Sequence, residues 1–189
     1  MLLGACTKAP GLPGTQNLGS FRLRSTLLDA GCPFEAPAGF EFEATLSAND
    51  DYSEVFLTMG DLSESVSFDG QAVSSLRSAV RQVELSCAPE STCSDAILEE
   101  RLQWVLLSKS QDEALQRATK TAGCPEDIKK VLPLPDVDAG IVAPGPTPRG
   151  FDAVRVCGTL VNDVVPQAVE GCGKCQGCQM RYRVTGERR

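Results

Sequence analysis

The residues best equipped for chemistry in this chain are its cysteines, and they crowd towards the C-terminus. The stretch GCGKCQGC, residues 171–178, sets Cys172, Cys175 and Cys178 at C-x-x-C-x-x-C spacing, with Cys157 upstream of them. Thiolates so placed could bind zinc, carry an iron–sulfur cluster, exchange electrons or be closed into disulfides. A four-cysteine zinc site usually presents two C-x-x-C pairs about a dozen or more residues apart, a pattern this spacing does not follow. Bacterial ferredoxins do use C-x-x-C-x-x-C, but their clusters belong to reducing compartments. A redox-active C-x-x-C needs a helix N-terminus behind its first thiolate, whereas alternating, strand-like segments flank this one on both sides. Structural disulfides are therefore the expected state of Cys157, Cys172, Cys175 and Cys178, with no bound metal and no cofactor.

Other catalytic chemistries find few candidates. Histidine is absent from the 189 residues, which excludes Ser-His-Asp and Cys-His nucleophilic catalysis. The carboxylate pairs Glu41 with Glu43 and Glu99 with Glu100 are expected on solvent-facing strand positions and not as convergent acids, so the chain is expected not to be an enzyme. A net charge of -7 and a pI near 4.7 argue against a nucleic-acid partner, because such binding needs clustered Lys and Arg to displace counterions. The one basic cluster, Arg181, Arg183, Arg188 and Arg189, is expected on an outward strand face that runs into a solvated end.

At the other end the chain begins MLLGAC, and Leu3-Gly4-Ala5-Cys6 resembles the lipobox of bacterial envelope lipoproteins. That resemblance implies cleavage before Cys6, lipid on its thiol, and a membrane contact made through that lipid. In such lipoproteins the residue after the cysteine helps route the product, and Thr7 implies the outer membrane of a Gram-negative cell. A signal peptide carries a basic region and an apolar stretch of roughly 7 to 15 residues. Five residues precede Cys6 here, so Met1 is expected to be internal to a longer reading frame. The following TKAPGLPGTQNLGS, rich in Pro, Gly, Ser and Thr, suits a tether between lipid and domain.

Nine cysteines less a lipidated Cys6 leave an even eight, as an oxidising compartment favours. They fall into two groups: Cys32, Cys87, Cys93 and Cys124 before a proline-rich break, and Cys157, Cys172, Cys175 and Cys178 after it. The expectation is four disulfides that stay within these groups, including Cys87 with Cys93 across CAPESTC and Cys32 with Cys124.

The segments that carry these cysteines read mostly as strands. In FRLRSTL, Phe21, Leu23 and Leu27 share one face while Arg22, Arg24 and Thr26 take the other, a period of two. FEFEATL repeats it with Phe40, Phe42, Ala44 and Leu46 against Glu41, Glu43 and Thr45. SANDDY supplies a turn, SEVFLTM returns, SESVSF alternates through Val66 and Phe68, and Asp69-Gly70 suits a tight hairpin. Segments 72–86 and 97–108 also fit helical spacing, but length for the first and a local cap for the second favour strands. That cap is Ser110-Gln111-Asp112-Glu113, an S-x-x-E capping box predicting a helix over about 111–120 that stops at Ala122-Gly123. Residues 132–150 carry prolines at 133, 135, 144, 146 and 148 and cannot form regular structure. After them Val154 with Val156, and Met180, Tyr182 with Val184, form inward sets.

The expected fold is mainly β, an antiparallel β-sandwich or small meander barrel with one short helix, stapled by disulfides. Residues 1–19 are the lipobox remnant and tether, 20–126 the β domain, 127–150 a linker or long loop, and 151–189 a cysteine-rich hairpin completing the sheet. The expected function is a monomeric, lipid-anchored envelope module, structural or binding a protein or glycan through the open face or mouth of its sheet. The competing expectation is a cytosolic metal-binding or electron-transfer protein using Cys157, Cys172, Cys175 and Cys178.

Overall fold

A computed structural model describes residues 13–32, 36–51, 53–68, 72–82, 95–119, 123–125, 153–166 and 175–189. Its strands are β1 (Gln16–Ala30), β2 (Glu41–Ala48), β3 (Val55–Met59), β4 (Leu62–Phe68), β5 (Ala72–Gln82), β6 (Asp95–Ser108), β7 (Ala153–Pro166) and β8 (Cys178–Arg188), with helix α1 (Lys109–Thr119) between β6 and β7. Each strand pairs antiparallel with the next, and β8 returns to pair with β1 from Phe21↔Arg188 to Ala30↔Met180. The result is a closed eight-stranded meander barrel, not a sandwich. Closure leaves no sheet edge to aggregate. Strands β7 and β8, from the cysteine-rich end of the chain, fill the gap between β6 and β1.

The alternating patterns form strands because a half-buried pleat puts successive side chains on opposite faces. Phe21, Leu23, Ala44, Leu46, Val66, Met180, Tyr182 and Val184 are all buried in one core. Strand β1 starts before its alternation is visible, because the register shifts between Asn17 and Gly19. Such a bulge breaks the period of two, so Leu18 and Phe21 are both buried. A second irregularity pairs Ser108 with Ala153 but Leu107 with Arg155. Ala153, Val156, Leu160 and Val164 consequently supply the core of β7 while Val154, expected inward, is only half-buried. Phe40 likewise lies just before β2 and remains 39% exposed.

The interior fits because large and small residues face one another. Trp104 pairs in register with Gly158, and a Cβ at Gly158 would stand 2.6 Å from the indole Cδ1. Gly186 sits opposite Leu23 and leaves room for that side chain in the same way.

Strand β6 resolves its own ambiguity. Trp104 and Leu106 fill the barrel, while Val105 and Leu107 form a second small core outside it with Leu115 of α1, Cys124 and Cys157. A strand buried on both faces reads as a continuous apolar run, hence WVLL. The helix begins earlier than the S-x-x-E box predicts. Ser108 accepts the Gln111 amide at 3.4 Å and donates its own amide to Gln111 Oε1 at 3.0 Å. This reciprocal cap is the S-x-x-Q form of the motif, and it wins because Ser108 ends the strand. Asp112 in the first turn suits the helix dipole, and its pairing with Arg155 at 2.7 Å ties α1 to β7.

Both disulfides between described cysteines contradict pairing within groups. Cys32 is joined to Cys178 and Cys124 to Cys157, so each bridge links the two groups. The physical reason is closure. Cys32 continues β1 past the Ala30↔Met180 pair, directly opposite Cys178, although 146 positions separate them in sequence. Cys124 follows α1, which folds back over the outer face of β7 where Cys157 lies. Cys175 is also disulfide-bonded. Cys6, Cys87, Cys93 and Cys172, the Asp69-Gly70 turn and the proline-rich segment 132–150 lie outside the described residues.

On the chain-entropy account the loops closed by these two bridges correspond to about 5 and about 4 kcal/mol respectively, each taken alone. Peptide mapping without reductant is expected to recover Cys32 linked to Cys178 and Cys124 linked to Cys157. Recovery of a Cys32–Cys124 peptide instead would show the barrel closure to be wrong at this rim.

Candidate functional site

An eight-stranded barrel has an interior just wide enough to be filled by side chains or to hold one small ligand. This barrel is filled at one end and open at the other. Around Phe21, Leu46, Leu57, Trp104, Leu106 and Val156 the interior is fully packed. At the other rim, where β1, β3, β5 and β7 end, a cup of about 260 Å³ opens. Its apolar wall is Phe40, Phe42, Met59, Leu62, Leu102 and Leu160, and its polar members are Glu64, Ser75, Arg77 and Glu100.

Register explains how charged residues came to face inward. Arg77 pairs with Glu100, and Glu100 with Asn162, so three polar side chains stand side by side across β5, β6 and β7. They share the inward face with Val73, Leu102 and Leu160. The Arg77 guanidinium and the Glu100 carboxylate meet at 2.6 Å, each about one-third exposed or less. Glu100 is therefore not the solvent-facing strand residue its neighbours in sequence suggest. It follows the inward parity of Leu102 and Trp104, and Arg77 compensates its charge. Glu41 and Glu43 do lie outside, paired with Arg24 and Arg189.

The aromatic wall is held by a buried hydroxyl. Ser25, 2% exposed, donates to the Phe40 carbonyl at 3.1 Å and accepts the Phe40 amide at 2.9 Å. The Ser25 backbone amide donates to the same carbonyl at 2.8 Å. Gly39 permits this approach, since a Cβ there would collide with the Ser25 carbonyl oxygen. Phe40 then packs edge-on to Tyr182 at 5.5 Å and tilted against Phe42 at 5.6 Å, and Phe42 reaches Trp104 at 6.4 Å. Burial raises the Tyr182 phenol above its ordinary pKa. Two buried polar atoms have no hydrogen-bond partner among the described residues, Trp104 Nε1 and Asn162 Oδ1.

A larger depression of about 540 Å³ lies between Arg22, Arg24, Glu41, Arg155 and Glu187 on the outer surface. Its charges already satisfy one another: Glu41 takes Arg24 and Arg22, and Arg155 takes Asp112 and Glu187. It is a solvated ion-pair network and a weaker candidate than the cup. Arg181 and Arg183 stand on β8 positions that alternate with buried Met180, Tyr182 and Val184.

The described cysteines Cys32, Cys124, Cys157 and Cys178, expected as structural disulfides, are bridged, and none of them lines the cup. Cys178 is partly buried against the core, and its bridge to Cys32 closes the β1–β8 seam at the cup's rim. Cys124–Cys157 lies outside the barrel, under the helix. No motif marks the cup. The available signal was parity: Glu64 shares its face with Val66 and Phe68, Arg77 with Val73, and Glu100 with Leu102 and Trp104.

Replacing Ser25 by Ala leaves the Phe40 amide without its hydroxyl partner in a buried setting. The expected cost is about 1–2 kcal/mol of stability, read by denaturant titration, with a change in near-ultraviolet aromatic signals as Phe40 loosens. An unchanged midpoint would mean that Ser25 does not hold the wall.

No family model, curated protein or solved structure matches this chain.

Proposed function

We propose that the chain is a non-catalytic binding module of the bacterial cell envelope, monomeric and held to the outer membrane by lipid on Cys6. The observation that carries the binding part is the cup at the barrel mouth. It is concave, mostly apolar and furnished with a few convergent polar groups, the usual make-up of a small-molecule site. Phe40 and Leu62, each more than one-third exposed at its lip, are large apolar side chains left uncovered. Such walls suit a small apolar molecule better than a glycan.

The envelope part is supported by the sequence Leu3-Gly4-Ala5-Cys6 and by the bridges Cys32–Cys178 and Cys124–Cys157, which persist in oxidising compartments. A metal or electron-transfer role would need Cys157 and Cys178 as thiolates. Both are consumed in disulfides, with Cys124 and Cys32.

Two experiments test the two parts. Trp104 is the single tryptophan and touches the cup through Phe42, so its emission reports on occupancy. Titration with 4-phenylbutanol is expected to change that emission saturably, and Leu160→Trp or Met59→Trp, which fill the cup, should abolish heat release in calorimetry. Binding that survives both plugs would place the ligand elsewhere. For the anchor, the gene expressed with its natural upstream region should yield a protein that partitions into detergent, and Cys6→Ser should move it to the aqueous phase. Equal partitioning of the two would eliminate lipidation.

A further inference from the structure

We infer that the cup selects an apolar amine, a small hydrophobic body bearing an ammonium group, over neutral or anionic molecules of the same shape. The inference rests on the cup being a binding site. Two carboxylates and one guanidinium line it. The guanidinium of Arg77 is already engaged by Glu100 at 2.6 Å. Glu64 has no ion-pair or hydrogen-bond partner among the described residues, and it is only half-exposed. The charge left over in the cup is therefore negative, in a place where apolar walls reduce solvent screening.

Two further features favour a cation that donates hydrogen bonds. The Glu64 carboxylate of the lining only accepts hydrogen bonds, and an ammonium carries three donors and no acceptor, so the two complement each other. The rings of Phe40 and Phe42 supply aromatic faces in the same wall, which attract cations through their quadrupoles. A carboxylate ligand would meet the opposite situation, because binding Arg77 requires breaking its pair with Glu100 while Glu64 repels it. The chain's net charge of -7 draws cations towards the molecule before contact.

The test uses three probes of one skeleton on the full chain: 4-phenylbutylamine, 4-phenylbutanol and 4-phenylbutyrate, followed by calorimetry and Trp104 emission at low and physiological salt. The amine is expected to bind about tenfold more tightly than the alcohol, the combined effect of one partly exposed ion pair and a cation–aromatic contact, and the acid most weakly. Glu64→Gln, at a half-exposed position of the cup lining, should bring the ratio of amine to alcohol affinity close to one. Salt should weaken the amine alone. If the alcohol binds but the amine gains nothing, or keeps its gain in Glu64→Gln, the charge selection is overturned and the cup survives as an apolar site. If none of the three binds, the cup itself is refuted and this selection with it.

Discussion

The pairing of β1 with β8 is the interaction on which the rest depends. It joins Phe21 to Arg188 and Ala30 to Met180, residues from the two ends of the described chain. Without it the eight strands would form an open meander with two long edges and an inner face exposed to water. With it, alternate side chains from every strand converge on one interior. The Cys32–Cys178 bridge lies in the same seam, just beyond the last paired residues, and limits fraying where the cup begins. Loop-closure entropy makes this contact costly to form, since its partners are so distant in sequence. A covalent link at that place constrains the unfolded chain most.

Closure also divides the interior into two regimes. At one end Trp104, Phe21, Leu23 and Leu106 are packed to near-zero exposure, with Gly158 and Gly186 leaving the space they need. At the other end the inward positions are Glu64, Ser75, Arg77 and Glu100, which cannot be packed dry without partners. Arg77 and Glu100 solve this by pairing with each other and keeping some solvent contact. A polar ring over an apolar floor is costly as a core. The helix serves the opposite side of the wall, where it covers Val105 and Leu107 outside the barrel.

Local structure is largely legible in the order of the amino acids. Alternation in FRLRSTL and FEFEATL specifies strands, because a pleated backbone has a side-chain period of two and no long-range information is needed to see it. The absence of histidine closes the histidine-dependent catalytic routes outright. Even the helix start was nearly legible, and the choice between Ser108 and Ser110 was decided by where β6 stops. Bulges at Asn17/Gly19 and near Ala153 hid Leu18 and misassigned Val154, since one inserted residue reverses parity.

Which partners meet depends on the closed barrel. Cys32 seeks Cys178 and not Cys124, because closure places the last strand beside the first, a fact that grouping cysteines by sequence distance cannot contain. The cup was invisible for the same reason. Glu64, Arg77 and Glu100 each look like an ordinary charged residue on a strand, and only the register of β4, β5 and β6 turns all of them inward. Parity along one strand gives two faces but not which is inside, and register across strands is a non-local property set by the whole closed sheet.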